Sequence, residues 1–184
     1  MPLSSLDIVS VDSTFIQNKL CKDTTCKNPH NKCKRGSRVS TIVDSKGVPL
    51  SITVDDSDGN DAKLFFNVFA KMTANKSILK KIHKRTKFLA DKGYDSKKIR
   101  NKILSRKMIP IIGYNKRNTK DISKIKFLTA DELKIYKKRI RVEHLYAFYK
   151  KYPKINSIYE KTLESYRNLV FIVSSFKVIK NTIT

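Results

Sequence analysis

Tyr136-Lys-Lys-Arg-Ile-Arg-Val-Glu-His-Leu-Tyr-Ala-Phe-Tyr-Lys150 is the stretch from which the rest of the sequence is best read. At about 100° per residue, Tyr136, Arg139, Glu143 and Lys150 fall within an arc of roughly 60° on one side of a helix. Ile135, Val142, Leu145, Tyr146 and Tyr149 gather on a neighbouring apolar stripe, which a helix buries against a core. Glu143 is thereby placed where a rigid scaffold meets solvent. Read alone, the stretch also describes an ordinary basic surface helix with one Glu. His144 points about 100° away from Glu143, toward the surface. Upstream, Thr129-Ala-Asp-Glu132 fits a capping box, so the helix is predicted to start near Thr129 and to stop at Pro153.

Working outward, two more carboxylates stand at ends of apolar runs. Residues 6–12, Leu-Asp-Ile-Val-Ser-Val-Asp, predict a buried strand ending at Asp12. Thr86-Lys-Phe-Leu-Ala-Asp91 predicts another, parallel to the first and reached by a crossover helix, with Asp91 beside Asp12. A carboxylate at a strand end is held by the sheet yet faces its rim, where ligands sit in open α/β sheets; a turn residue is the other reading of Asp12. Val39–Val43 and Val48–Val54, joined across Asp44-Ser-Lys-Gly47, predict a hairpin, with Pro49 suited to an edge or a strand entry. Asp55, Asp56, Asp58 and Asp61 follow without the closing Glu of an EF-hand, and Asp58 or Asn60 is expected to cap the next helix.

That helix is predicted from Ala62 to about Ile82, with a break near Asn75 and with Leu64, Phe65, Val68, Phe69, Met72 and Ile78 inward. Gly93 turns the chain after Asp91, Asp95 or Ser96 caps a helix through Leu104, and Met108–Ile112 is a fifth strand. Residues 114–126 read as a polar loop with Lys116 and Arg117 placed to reach an anionic ligand. A last helix, about Ser157 to Lys177, carries Leu163, Tyr166, Leu169, Val170, Ile172, Val173 and Phe176 as core.

Composition limits the function. The chain has 184 residues, 40 Lys and Arg against 16 Asp and Glu, and a formal charge of +24. One domain is the simplest organisation for this length. The charge exceeds what solubility requires and points to a polyanion; nucleic acid fits, because binding releases counterions from phosphates. No apolar run of about 18 residues and no leader pattern is found, so neither a membrane span nor a signal peptide is expected. Three Cys, an odd number, agree with a reducing compartment. The location expected is intracellular.

The basic insert at about 18–37 holds Cys21, Cys26, His30 and Cys33, spaced Cys-x4-Cys-x3-His-x2-Cys. Zinc held by three thiolates and an imidazole is one reading, and a flexible basic loop that happens to contain cysteines is the other. Lys34, Arg35 and Arg38 serve phosphate binding under either.

The spacing Tyr136-x2-Arg139-x3-Glu143-x6-Lys150 resembles the Tyr-Arg-Glu-Lys element of DDE transposases from bacterial insertion sequences, in the families numbered four and five. Ile8-Val-Ser-Val-Asp12-Ser-Thr14 resembles the family's first-Asp strand, and Phe88-Leu-Ala-Asp91-Lys-Gly93-Tyr94 its second. The resemblance runs from about residue 6 to about residue 170. It implies an RNase H-like α/β fold, element order βββαβαβα, with a mixed five-stranded sheet flanked by helices. It further implies that Asp12, Asp91 and Glu143 bind two Mg²⁺ or Mn²⁺ ions for DNA cleavage and strand transfer at transposon ends. Tyr136, Arg139 and Lys150 would then contact DNA, although Tyr136 also reads as a core aromatic at a helix boundary. The partners implied are transposon ends and target DNA, with a homodimer on that DNA. The family's N-terminal DNA-binding region is not seen ahead of the first strand, which suggests a separate partner chain for it. A decayed or non-catalytic nucleic-acid-binding protein, and a nuclease that hydrolyses without joining, are the competing readings.

Overall fold

β1 (Ile8–Asn18) is the strand on which the others are hung. The computed structural model describes residues 6–21, 27–28, 34–56, 61–115 and 127–183. Within β1, Ile8, Val9, Ser10 and Val11 are buried in succession, as in a strand covered on both faces. After the two-residue β2 (Lys27–Asn28) comes β3 (Lys34–Asp44), antiparallel to β1 from Val9↔Asp44 to Gln17↔Gly36. β4 (Pro49–Asp56) returns antiparallel to β3. The turn between them is the predicted one: Gly47 has φ +80°, and Asp44 Oδ1 accepts from the N–H groups of Lys46 and Val48.

β1 outruns its predicted end at Asp12 by six residues, and β3 begins five residues before Val39. The antiparallel ladder between them continues past Asp12 and satisfies the backbone of both. Gly36 is required there, since a Cβ would strike the Ile16 carbonyl and the Phe15 ring. The insert expected at 18–37 is correspondingly shorter, and Cys26, His30 and Cys33 lie outside the described residues.

α1 (Asp61–Ala74) and α2 (Lys76–Leu79) are separated at Asn75, whose side chain caps the second, as the predicted break requires. Asp58 and Asn60 lie outside the described residues. β5 (Lys87–Ala90) is parallel to β1, α3 (Lys97–Leu104) is capped by Ser96, and β6 (Ile109–Ile112) is parallel to β5. The main sheet is therefore ordered β4-β3-β1-β5-β6. It has the three antiparallel and two parallel strands of the expected RNase H-like α/β fold.

α4 (Ala130–Tyr136), a 3₁₀ turn (Lys137–Arg139) and α5 (Ile140–Tyr149) replace the single helix predicted from Thr129 to Pro153. The capping box at Thr129 and Glu132 is formed. Next come α6 (Pro153–Asn156) and β7 (Ser157–Ile158), which pairs with the far end of β1, and then α7 (Leu163–Ile183). The last helix thus starts six residues later than expected. It buries Tyr166, Val170 and Val173, whereas Ile172 and Phe176, expected in the core, are each 55% exposed. Only one face of α7 meets the protein, and those two residues lie off it.

Side chains alternate across each strand, and the two faces differ in cover. Val9, Val11, Phe88, Ala90 and Ile112 face α1 and α3, where Phe65, Phe69 and Ile99 complete one core. Ile8, Leu89 and Ile111 point the other way and pack with Ile135 and Tyr136 of α4. On that same side Val142, Leu145 and Tyr149 of α5 join Tyr166 and Val170 of α7 against β3 and β4.

Candidate active site

By the same alternation, Asp12 lies on the face of Ile8 and Ser10, and Asp91 on the face of Leu89. Ile8 pairs with Lys87, Val9 with Phe88 and Ser10 with Leu89; the same offset, carried two residues on, sets Asp12 opposite Asp91. Neighbouring strands lie about 4.8 Å apart. Asp12 is inside its strand, not at its end as predicted. What ends there is the parallel neighbour, since β5 stops at Ala90. This opens the rim in the middle of β1, and the chain after Asp91 turns away in a 3₁₀ turn (Lys92–Tyr94) that the Asp91 side chain caps.

The segment opposite is shaped to meet the two aspartates. In a 3₁₀ turn the side chains at i and i+3 eclipse, so Tyr136 and Arg139 project together toward the adjacent strands. The Tyr136 hydroxyl donates to Asp91 Oδ1 at 3.4 Å. Arg139 donates through one terminal nitrogen to Asp12 Oδ2 at 3.1 Å and through the other to Glu143 Oε1 at 2.7 Å. The Arg139 guanidinium carbon is 5.9 Å from the centre of the Tyr136 ring. Asp12 Oδ1 also accepts from the Ser13 N–H, and Asp91 Oδ1 from the Lys92 N–H. Three of the four motif side chains are therefore in one contact network with both aspartates.

Burial favours the neutral form of Tyr136, and the Asp91 charge beside it adds to this, so its pKa is raised and it stays a donor. Burial works against the charge of Arg139, but Asp12, Tyr136, Glu143 and Asp91 outweigh it and raise its pKa. The site thus contains a permanent cation between acids. Among the described residues, no three His, Cys, Asp or Glu side chains are gathered closely enough to share a metal ion; Arg139 stands between Asp12 and Glu143 instead.

Lys150 caps the end of α5 and is exposed. Seven residues from Glu143, it stands about 10 Å along the axis, outside the network. Arg38, on β3, donates to Ser13 Oγ at 3.1 Å, next to Asp12, and Arg35 is exposed on the same strand. Lys34 opens β3, while Lys116 and Arg117 lie outside the described residues. Cys21 is buried in the core beneath α5 and α7, with its backbone held by Asn18. His144 is exposed, as expected.

Sequence reasoning assigned Tyr146 to the core alone and missed its second task. Its hydroxyl lies 2.6 Å from the Asp12 carbonyl and 3.1 Å from the Val39 carbonyl, so it ties α5 to β1 at the candidate carboxylate itself. The signal available was a Tyr, and not a Phe, in an otherwise apolar stripe, because a buried phenol requires a polar partner.

The family model described as "Transposase DDE domain" matches residues 3–174. Among solved structures, the chain is similar to a pre-cleavage Mos1 transpososome, with 10% identity, 84% of this chain and 57% of that one covered, and a TM-score of 0.42. It is also similar to a simian T-cell lymphotropic virus intasome in complex with PP2A regulatory subunit B56 gamma, with 13% identity, 81% and 40% covered, and a TM-score of 0.47. A third is the Mos1 mariner paired end complex with Mn, with 12% identity, 85% and 57% covered, and a TM-score of 0.40. This chain accordingly spans about half the length of the chains it resembles. No curated protein matches it.

Proposed function

This chain belongs to the transposase DDE-domain family, and from that membership we propose that it cuts DNA at the ends of a mobile element and transfers the freed strands, with Asp12, Asp91 and Glu143 as its metal-binding carboxylates. The family generally uses a divalent metal. The observation that supports the residue assignment is the network around one guanidinium: Arg139 joins Asp12 to Glu143, and Tyr136 beside it reaches Asp91, which directly follows the strand paired with β1.

The donor types suit Mg²⁺ or Mn²⁺, which prefer carboxylate oxygen, although Arg139 holds Asp12 and Glu143 apart and the acids of the described residues are not gathered around one point. When bound, two such ions supply activation of the attacking water or 3′-hydroxyl and stabilisation of the leaving 3′-oxygen during in-line displacement. The remaining work falls to the protein. Backbone N–H groups of Ser13 and Lys92 fix one oxygen each of Asp12 and Asp91 and so set their rotamers. Tyr136, kept protonated, steadies Asp91 from the opposite side. Tyr146 fixes the height of α5 above Asp12, which determines where Glu143 stands. The DNA backbone is proposed to run over Arg35 and Arg38, past Arg139 and Tyr136, to Lys150, with Lys34, Lys116 and Arg117 adding phosphate contacts.

Glu143→Gln tests this directly. It keeps size and hydrogen bonding but removes a charged ligand, so Mg²⁺-dependent cleavage of a labelled duplex should vanish while binding of the same duplex is nearly intact. A variant that cleaves at the wild-type rate shows that Glu143 is not the third ligand.

A further inference from the structure

The Arg139 guanidinium bridges Asp12 and Glu143 with two short contacts while its side chain is only 20% exposed. It pairs with both acids at once, and it sits among the acids assigned above to a divalent ion. We propose that Arg139 is the resident counter-ion of this site, a stand-in for the metal that must give up Asp12 and Glu143 before a divalent cation can take them, and that it is thereby released to grip a substrate phosphodiester. The inference rests on the metal reading of Asp12, Asp91 and Glu143.

The physical argument has three parts. Like charges close together repel, so carboxylates gathered at one rim need compensation, and an internal cation provides it without a ligand. That same cation competes with any ion seeking the same oxygens, since a guanidinium and a dication on shared ligands repel each other. The released side chain has a fork that matches two phosphate oxygens, and the Tyr136 ring alongside can support its charge. Cation binding and phosphate binding are then coupled through one side chain, and the coupling is reciprocal: each raises the affinity for the other. The exchange also settles how Arg139 serves DNA when the structure shows it engaged with acids.

Mn²⁺ binding to the full chain, followed by the loss of the free-ion paramagnetic resonance signal at low salt, is the test, together with melting curves with and without Mn²⁺. Arg139→Gln should bind Mn²⁺ several-fold to about tenfold more tightly than wild type, because two partly exposed ion pairs no longer compete. Its melting temperature should fall without metal and recover more than that of wild type on saturation. Arg139→Lys, a point charge that cannot bridge both acids with one fork, should bind Mn²⁺ more tightly by a smaller factor, and it carries the test if the Gln variant does not fold. Equal or weaker Mn²⁺ binding in the folded variants overturns the proposal and makes Arg139 an organiser of ligands instead. Asp12→Asn separates this failure from the other: Mn²⁺ binding that survives it, or that is missing from wild type and both Arg139 variants alike, sinks the metal assignment and the exchange with it.

Discussion

Tyr146 ties the helix that carries Glu143 to the strand that carries Asp12. Its ring is buried in the α5 core and its hydroxyl reaches the backbone carbonyls of Asp12 and Val39. Tyr146→Phe keeps the packing and removes the hydroxyl, and with it one hydrogen bond to each of two strand carbonyls. The expected loss is about 1–2 kcal/mol in a urea titration, with a fall in cleavage because α5 loosens over Asp12. An unchanged midpoint would mean that the helix is held by packing alone. Neighbouring phenols set an alkaline limit. Burial raises Tyr149 to about 12 and Tyr166 further, while the unfolded groups titrate near 10. Folding therefore holds protons that the unfolded chain gives up. Their contribution to stability is complete below about pH 10; that of Tyr149 is lost as pH rises through about 12, and that of Tyr166 at still higher pH. Denaturation midpoints measured from pH 9 to 12 should decline, and Tyr149→Phe should decline less steeply.

At the scale of elements, the 3₁₀ turn between α4 and α5 aims the site. One Ala inserted between Lys137 and Lys138 would rotate Glu143 by about 100° relative to Tyr136. Helix content by circular dichroism should be retained and cleavage lost; retained cleavage would show that the relative rotation of α4 and α5 does not matter. This turn was not legible in the sequence, since no Gly or Pro marks it and the docking of Tyr136 and Arg139 onto two strands imposes it from outside. Local signals read well: the Asp44–Gly47 turn, the Asn75 break, the Ser96 cap and the Thr129 capping box are each formed by residues within four positions of one another. Non-local ones did not. The length of β1 depends on β3, the late start of α7 depends on β7 reaching the end of β1, and the exposure of Ile172 and Phe176 depends on which face β4 occupies. Of the candidate site, Asp12 and Asp91 were picked out as carboxylates at the ends of apolar runs, and Arg139 and Glu143 by the resemblance of their motif, while the bond from Tyr146 to Asp12 spans 134 positions and left no mark in the pattern.

For the whole molecule, the excess of 40 basic over 16 acidic side chains should dominate its behaviour with DNA. Phosphate contacts carry affinity without sequence information. Binding is expected to weaken linearly on a log–log plot against salt, by about 10³–10⁵-fold between 50 and 200 mM if 6–10 phosphates are engaged. Competition between terminal-repeat and scrambled duplex at fixed salt should show little preference; a preference well above tenfold would place an end-recognition surface in this chain. One last consequence concerns synthesis. Asp12 and Arg139 are 127 residues apart in the chain, and a ribosome delivers the N-terminus first. The hairpin, then β5, can form while the rest is still being translated, which brings Asp12 and Asp91 together early. Glu143 and the arginine that steadies it emerge only after β5, β6 and α4 have all been made. On the proposed chemistry, every nascent or prematurely terminated product that stops short of them holds at most two of the three carboxylates, so the genome of the host meets a competent DNA-cutting enzyme only after translation has passed this point.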